Sequence, residues 1–252
     1  MAAVAPPRIV GEGQREDAWR ASPWLTALEE RPAAALLHGR RRLLLLSPHP
    51  DDETLACSGL LRAAATTGLV EVHLVAVTDG EACYPGDAGW TPERLRKVRP
   101  REVEQAFAML GVRAGIQRLG IADGEVAANV AAVEGALRAL LQPDDLVLAP
   151  WEHDGHPDHD AVGRAALAAT TLPGTRLLRY PVWAWHWLQA DAVQPPFRAI
   201  RMPLAEDTAA RKQRAIACFA SQLGSSAGTA PAPILPPHVI ERFQRPFEVY
   251  LR

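Results

Sequence analysis

Leu43-Leu44-Leu45-Leu46-Ser47-Pro48-His49-Pro50-Asp51-Asp52-Glu53, continued by Thr54-Leu55-Ala56-Cys57-Ser58-Gly59-Leu60, is the stretch on which the reading of this chain turns. Four leucines between Arg42 and Ser47 describe a strand buried on both faces, as in a parallel sheet covered by helices. The residues that follow put one imidazole and three carboxylates into positions 49 to 53. Ionisable groups at that density are poor core material, so they predict a site at the carboxyl end of a strand, where open α/β sheets place ligands.

Working outward, Thr54 to Thr67 is rich in Ala and Leu and predicts a helix stopped by Gly68. Val70 to Thr78 is β-branched and apolar, a second buried strand running into Asp79-Gly80-Glu81. Ala82 to Trp90 reads as a loop, and Thr91-Pro92 as the cap and first residue of a helix reaching Leu110 and Gly111. A short strand near Gln117 to Leu119, a helix from Glu125 to Leu141 and a buried strand from Asp145 to Pro150 follow. Upstream, residues 1 to 20 read as a loose lead-in, and Pro23 to Glu30 as a helix ended near Pro32. Downstream, Thr175 to Trp187 and Ala199 to Leu204 read as strands and Glu206 to Gln222 as a helix. Residues 223 to 252 read as a Pro-rich loop and a C-terminal edge strand. The alternation predicts a single α/β domain over residues 1 to 252, a Rossmann-like three-layer sandwich with a mostly parallel sheet. Neither G-x-G-x-x-G nor G-x-x-x-x-G-K-[ST] occurs, which removes the main support for dinucleotide and P-loop readings.

The chain has 252 residues, 48% hydrophobic and 22% charged, with a formal net charge of -2, so no basic excess points to nucleic acid or an anionic membrane. Arg94 to Arg101 is the densest basic patch and reads as a solvated helix face. The N-terminus reads without a secretion signal, and no segment has the roughly eighteen unbroken apolar residues of a membrane span. Cys57, Cys83 and Cys218 are far apart with no CxxC, which argues against a disulfide framework and for the cytoplasm.

A second ionisable cluster, Trp151-Glu152-His153-Asp154-Gly155-His156-Pro157-Asp158-His159, follows the strand ending at Pro150. If the strands are parallel neighbours, both clusters project from one edge of the sheet. His49 with Asp52, and His156 with His159, share a spacing of three, and two imidazoles with a carboxylate suit a catalytic zinc; a His-Asp-His set accommodates ferrous iron as well. Pro181-Val182-Trp183-Ala184-Trp185-His186-Trp187 places three tryptophans on one face of an extended segment. That face serves sugar stacking at Trp185, a subunit contact in a homo-oligomer, or the core.

The pair HPDDE at 49 to 53 and HPDH at 156 to 159 resembles the PIG-L/LmbE-like family of zinc-dependent N-deacetylases. The likeness extends through Thr78 to Glu81, Arg99 with Glu102, Leu110 to Val112, and Lys212 to Gln222. Cys57-Ser58-Gly59 departs from it, since the family usually carries two adjacent glycines there. The resemblance implies an LmbE-like fold with His49, Asp52 and His159 as metal ligands, Asp51 as general base and His156 as helper of the tetrahedral intermediate. Asp158 or Asp154 would then orient an imidazole, and His153, Glu81 and Arg94 border the pocket as candidates for substrate contact. The implied reaction is removal of an N-acetyl group from an amino sugar or glycoconjugate. The competitors are a zinc amidase acting on another amide, such as a thiol conjugate, and a sugar-binding α/β protein without hydrolytic activity.

Overall fold

The structure, a computed structural model, describes residues 9–191, 197–224 and 231–252; the first eight residues of the predicted lead-in and residues 225–230 of the Pro-rich region lie outside it. Eight strands form one sheet: β1 (Glu29–Glu30), β2 (Arg42–Ser47), β3 (Glu71–Ala76), β4 (Ala114–Arg118), β5 (Leu146–Pro150), β6 (Arg176–Tyr180), β7 (Ala199–Pro203) and β8 (Phe247–Leu251). Their order is β1-β7-β8-β6-β5-β2-β3-β4, and β8 alone runs antiparallel to its neighbours.

The leucines of β2 show why helices must cover both faces. Side chains alternate along a strand, and Leu43 and Leu45 join one apolar cluster while Leu44 and Leu46 join the other. Helices Asp52–Thr67, Pro92–Leu110 and Glu206–Ile216 supply Leu60, Phe107 and Ile216 to the first. Helices Val130–Leu140 and Pro157–Ala169 supply Leu137 and Val162 to the second. Each such side chain contributes roughly 1.5–3 kcal/mol on full burial. The mostly parallel three-layer α/β arrangement is therefore the expected one.

Several boundaries differ from the sequence reading, each because a distant partner intervenes. The lead-in is not loose throughout: Glu16–Arg20 is a helix whose Glu16 is buried against Arg245 (3.0 and 2.7 Å) and whose Trp19 packs edge-on to Trp185 at 4.9 Å. Pro23–Thr26 is a single helical turn, and Glu29–Glu30 pairs with Ile200–Arg201 instead of extending it. The predicted helix Glu206 to Gln222 stops at Ile216 and resumes as Ala220–Leu223. The C-terminal strand is no edge: β8 sits between β6 and β7. The long strand predicted to Trp187 ends at Tyr180, and Ala184–Trp187 is a helical turn. Pro181 breaks the ladder, and the Asp154 carboxylate accepts the N–H groups of Val182, Trp183 and Ala184, each at 2.9 Å.

Candidate active site

β2 and β5 are adjacent and parallel, while the chain leaves β2 for β3 on its other side, so the sheet's direction of progression switches between them. The crevice beyond the carboxyl ends at such a switch point is where ligands bind. His49, Asp51 and Asp52 leave β2 there, and Asp154 to His159 leave β5.

Three atoms converge in the crevice. His49 Nδ1 lies 3.2 Å from His159 Nε2, and Asp52 Oδ2 lies 3.5 Å from the first and 3.2 Å from the second. Carboxylates engage the far nitrogen of each ring. His159 Nδ1 is 2.8 Å from Asp154 Oδ2, and His49 Nε2 is 3.1 Å from Asp123 Oδ1 and 3.4 Å from Asp158 Oδ2. In the neutral form of each ring, with its one proton given to those carboxylates, the facing nitrogens would present lone pairs to a bound cation alongside Asp52. Ligands ~2.0–2.1 Å from a tetrahedral cation stand about 3.3–3.4 Å apart, and the observed triangle fits that face. His156, His49 and His159 also bring ring nitrogens within 4.8 Å, as do His49, Asp123 and Asp158 their donor atoms. His156 Nδ1, however, accepts the Asp158 N–H at 3.2 Å, so Asp52 is the better third donor.

The electrostatics follow from burial. Burial alone would lower the pKa of both imidazoles. At His159, Asp52 and Asp154 outweigh it and raise the value to about 9, and at His49, Asp123, Asp158 and Asp52 likewise raise it. His156 is pushed down to about 3 by burial and then by His159 and His49, which keeps it neutral. With Nδ1 accepting, its proton sits on Nε2, making it a neutral donor. Burial drives Asp51 up to about 8 against the charge of Arg99.

Asp51 is also strained. Its φ of 144° is a conformation that L residues rarely adopt and typically costs about 1–3 kcal/mol. Its surroundings overdetermine it: the Asp51 N–H donates to Glu53 Oε2 (3.2 Å), and its carbonyl accepts from Thr54 and Leu55 (2.9 and 2.8 Å). Arg99 completes the clamp, donating to Asp51 Oδ2 (3.0 Å) and to the Pro50 and Gly80 carbonyls (2.7 Å each). Gly80 must be glycine, since its φ is 62° and an added Cβ would fall 1.8 Å from Arg99. Arg99 thus corrects the reading of Arg94 to Arg101 as a solvated face: it is buried, pulled inward by carbonyls from two strand ends.

These groups line a cleft of about 340 Å³ whose polar lining includes His49, Asp51, Asp52, Arg99, Asp123 and His156 and whose apolar lining includes Leu55, Val182, Trp183, Ile234 and Leu235. Asp123 was missed in the sequence. Its signal was Asp123-Gly124 just past the end of a strand, but nothing local tied it to His49. Glu81 supports it from behind, accepting the Asp123 N–H at 3.4 Å and pairing with Arg96 at 3.1 Å. Asp158 holds the same loop through the N–H groups of Gly124 (2.8 Å) and Val126 (3.3 Å). Three other candidates lie off the cleft lining. His153 is exposed, edge-on to Trp151. Arg94 stacks on Trp90 at 4.3 Å. Trp185 is buried between Trp19 and Arg245, which selects the core among its three alternatives over sugar stacking: the helical turn places it in the core, and Trp183 reaches the cleft instead.

A family model described as GlcNAc-PI de-N-acetylase, PIG-L, matches residues 44–170, half of the chain and both clusters. The chain belongs to the PIG-L family. Within it, the chain is 33% identical over 162 residues to 1D-myo-inositol 2-acetamido-2-deoxy-alpha-D-glucopyranoside deacetylase of Nakamurella multipartita, covering 52% of this chain and 55% of the relative. It is 27% identical over 136 residues to a probable N-acetyl-alpha-D-glucosaminyl L-malate deacetylase 2 of Bacillus cereus, covering 52% and 61%. The PIG-L chain thus spans little more than half the length of these relatives. In fold it is similar to the pseudoaglycone deacetylase Dbv21, with a TM-score of 0.62 over 84% of this chain and 96% of that one at 24% identity. Among the described residues, no helix is long and apolar enough to cross a membrane.

Proposed function

We propose that this PIG-L protein is a metal-dependent hydrolase that removes an N-acetyl group from an N-acetylglucosamine-type sugar or glycoconjugate. The observation that carries this reading is the triangle of His49 Nδ1, Asp52 Oδ2 and His159 Nε2, backed by Asp123 and Asp154 on the far ring nitrogens and set beside Asp51. A divalent cation held by that triangle supplies Lewis acidity, lowering the pKa of water and polarising the amide carbonyl. The imidazole and carboxylate donors favour zinc, and the same set accommodates ferrous iron.

Asp51 takes the proton of the attacking water and returns it to the leaving amine, a role typically contributing 10²–10⁴-fold. The Arg99 clamp fixes the orientation of its carboxylate. His156, neutral and protonated on Nε2, donates to the oxyanion as the carbonyl becomes tetrahedral. Leu55, Trp183 and Ile234 give the cleft an apolar lining beside these groups. The amino-sugar class rests on the names of the relatives, and a cleft of about 340 Å³ suits a small glycoside. The separate, unpaired cysteines fit a reducing compartment, which we take to be the cytoplasm.

Acetate release from a panel of N-acetylated glycosides tests this reading. Activity should vanish on metal depletion, return with zinc or ferrous iron, and be lost in Asp51→Ala. A metal-loaded protein that releases no acetate from any amino sugar but cleaves a different amide would overturn the substrate class. Activity indifferent to chelation would overturn the mechanism.

A further inference from the structure

Where the helix Asp52–Thr67 packs on β8, the protein buries one more positive charge than it pairs. Lys212, Arg242 and Arg245 are all buried, and the acids that reach them are the buried Glu248 and Glu16. Lys212 Nζ donates to Glu248 Oε1 at 2.9 Å, and the same carboxylate also accepts the Gly59 N–H (2.9 Å) and the Tyr250 hydroxyl (2.8 Å). Arg245 donates to Glu16 through Nε and Nη2 (3.0 and 2.7 Å), and its Nη1 has no hydrogen bond among the described residues. Arg242, only 2% exposed, makes no ion pair among the described residues. Its Nη2 donates to the Glu12 carbonyl at 2.7 Å and its Nη1 to His186 Nδ1 at 3.3 Å, while its buried Nε has no partner. His186 gives its Nε2 proton to the Val10 carbonyl at 3.0 Å, so it meets Arg242 as a neutral acceptor. Glu241, the chain neighbour of Arg242, is exposed and makes no ion pair among the described residues.

Lys212, Arg242, Arg245 and Glu248 line one cavity of about 20 Å³, closed by apolar groups such as Leu55 and Phe243. Every residue of its wall except Phe247 is buried. The volume is room for a single body about the size of a water molecule. We propose that this cavity is a binding site for one small monovalent anion, chloride, held by Lys212, Arg242 and Arg245. Three cations against the carboxylates of Glu248 and Glu16 leave an excess of one positive charge, and a buried charge without a counter-ion is costly. A water molecule fits the space but brings no charge, whereas phosphate and sulfate exceed the space. Chloride, little larger than water, meets both limits. Burial, then the charge of Arg245, pull Arg242 down to about 10 against the pull of Glu16, so it keeps its charge at neutral pH. The ion would tie the helix Glu206–Ile216 to the Arg242–Arg245 turn, two segments that the hydrogen bonds of Arg242 and Arg245 already join to Glu12 and Glu16. The cavity shares only Leu55 with the catalytic lining, so the site is distinct from the deacetylase reading and independent of it.

The test uses the full chain and two probes. Crystals grown in sodium bromide should show an anomalous peak in this cavity, in contact with Lys212, Arg242 and Arg245. Thermal melts compare sodium chloride with sodium gluconate at matched ionic strength, gluconate being too large to enter. With chloride about tenfold above its Kd, the Tm should be roughly 3–6 °C higher than in gluconate. Arg242→Gln balances the cluster and should abolish most of that difference, while Arg242→Lys, which keeps the charge, should retain part of it. If Arg242→Gln fails to fold, the bromide peak and the chloride dependence of the parent decide together. A chloride dependence equal in parent and Arg242→Gln, as an ion on the metal centre would give, overturns the proposal. So does a cavity without an anomalous peak, whose occupant is then water. A bromide peak with no chloride dependence of the melt marks binding at crystal concentration only and overturns it as well.

Discussion

At the carboxyl edge of the sheet, the charged groups lean on one another. Asp154 holds His159, Asp123 holds His49, Arg99 holds Asp51, and the backbone N–H groups of the neighbouring loops fill the remaining carboxylate lone pairs. At the amino edge, Arg40 and Arg176 stand closer to water and, among the described residues, make no ion pair, while Arg252 pairs with the exposed Glu29. The contrast reflects what burial demands. A charge taken out of water must be paired, or it shifts its protonation, so a buried site becomes a preorganised network. A charge left near water need not be paired and can wait for a mobile counterion.

The contrast can be broken by substitution, with effects graded by how deeply each group is embedded. Asp51→Asn should cost ~10³-fold in kcat/KM with metal content unchanged, since it removes proton transfer and leaves the triangle of His49, Asp52 and His159 intact; retention of a tenth of the activity would exclude Asp51 as the base. His156→Phe should lose ~10²-fold, mainly in kcat, because the donor acts on charge that develops during reaction. A rise in KM alone would instead make His156 a binding residue. Asp154→Ala should weaken metal affinity ~10–100-fold by freeing His159, and also lower the Tm, because Val182, Trp183 and Ala184 lose their acceptor. Metal titration and thermal melts separate the two losses. Trp185→Ala should cost about 3–5 kcal/mol of stability while leaving KM unchanged in the folded fraction. At the amino edge, Arg176→Gln should leave kcat/KM within error of the parent. A large loss there would mean that the two edges are coupled.

Much of the catalytic edge was legible in the sequence because its residues are contiguous. HPDDE and HPDH each supply their groups within a few positions, and an apolar strand before each says where they project. Asp123 and the burial of Arg99 were not legible, because each acts on groups from other strand ends: Asp123 on His49 Nε2, and Arg99 on Pro50, Asp51 and Gly80. The tryptophan segment misled for the same reason. Its local pattern is that of a strand, but the Asp154 carboxylate accepts its N–H groups and bends it into a turn.

By itself the sequence determined the alternation of strands and helices, the four leucines that demand two covered faces, and the two acid and histidine clusters, since periodicity and local composition are properties of short stretches. The tertiary structure alone decided that β8 enters between β6 and β7, that Trp185 is core while Trp183 meets the cleft, and that Asp52 and the two imidazoles bring three atoms together. Those outcomes depend on which distant groups compete for the same buried hydrogen bonds and charges, and that competition is settled when the chain packs.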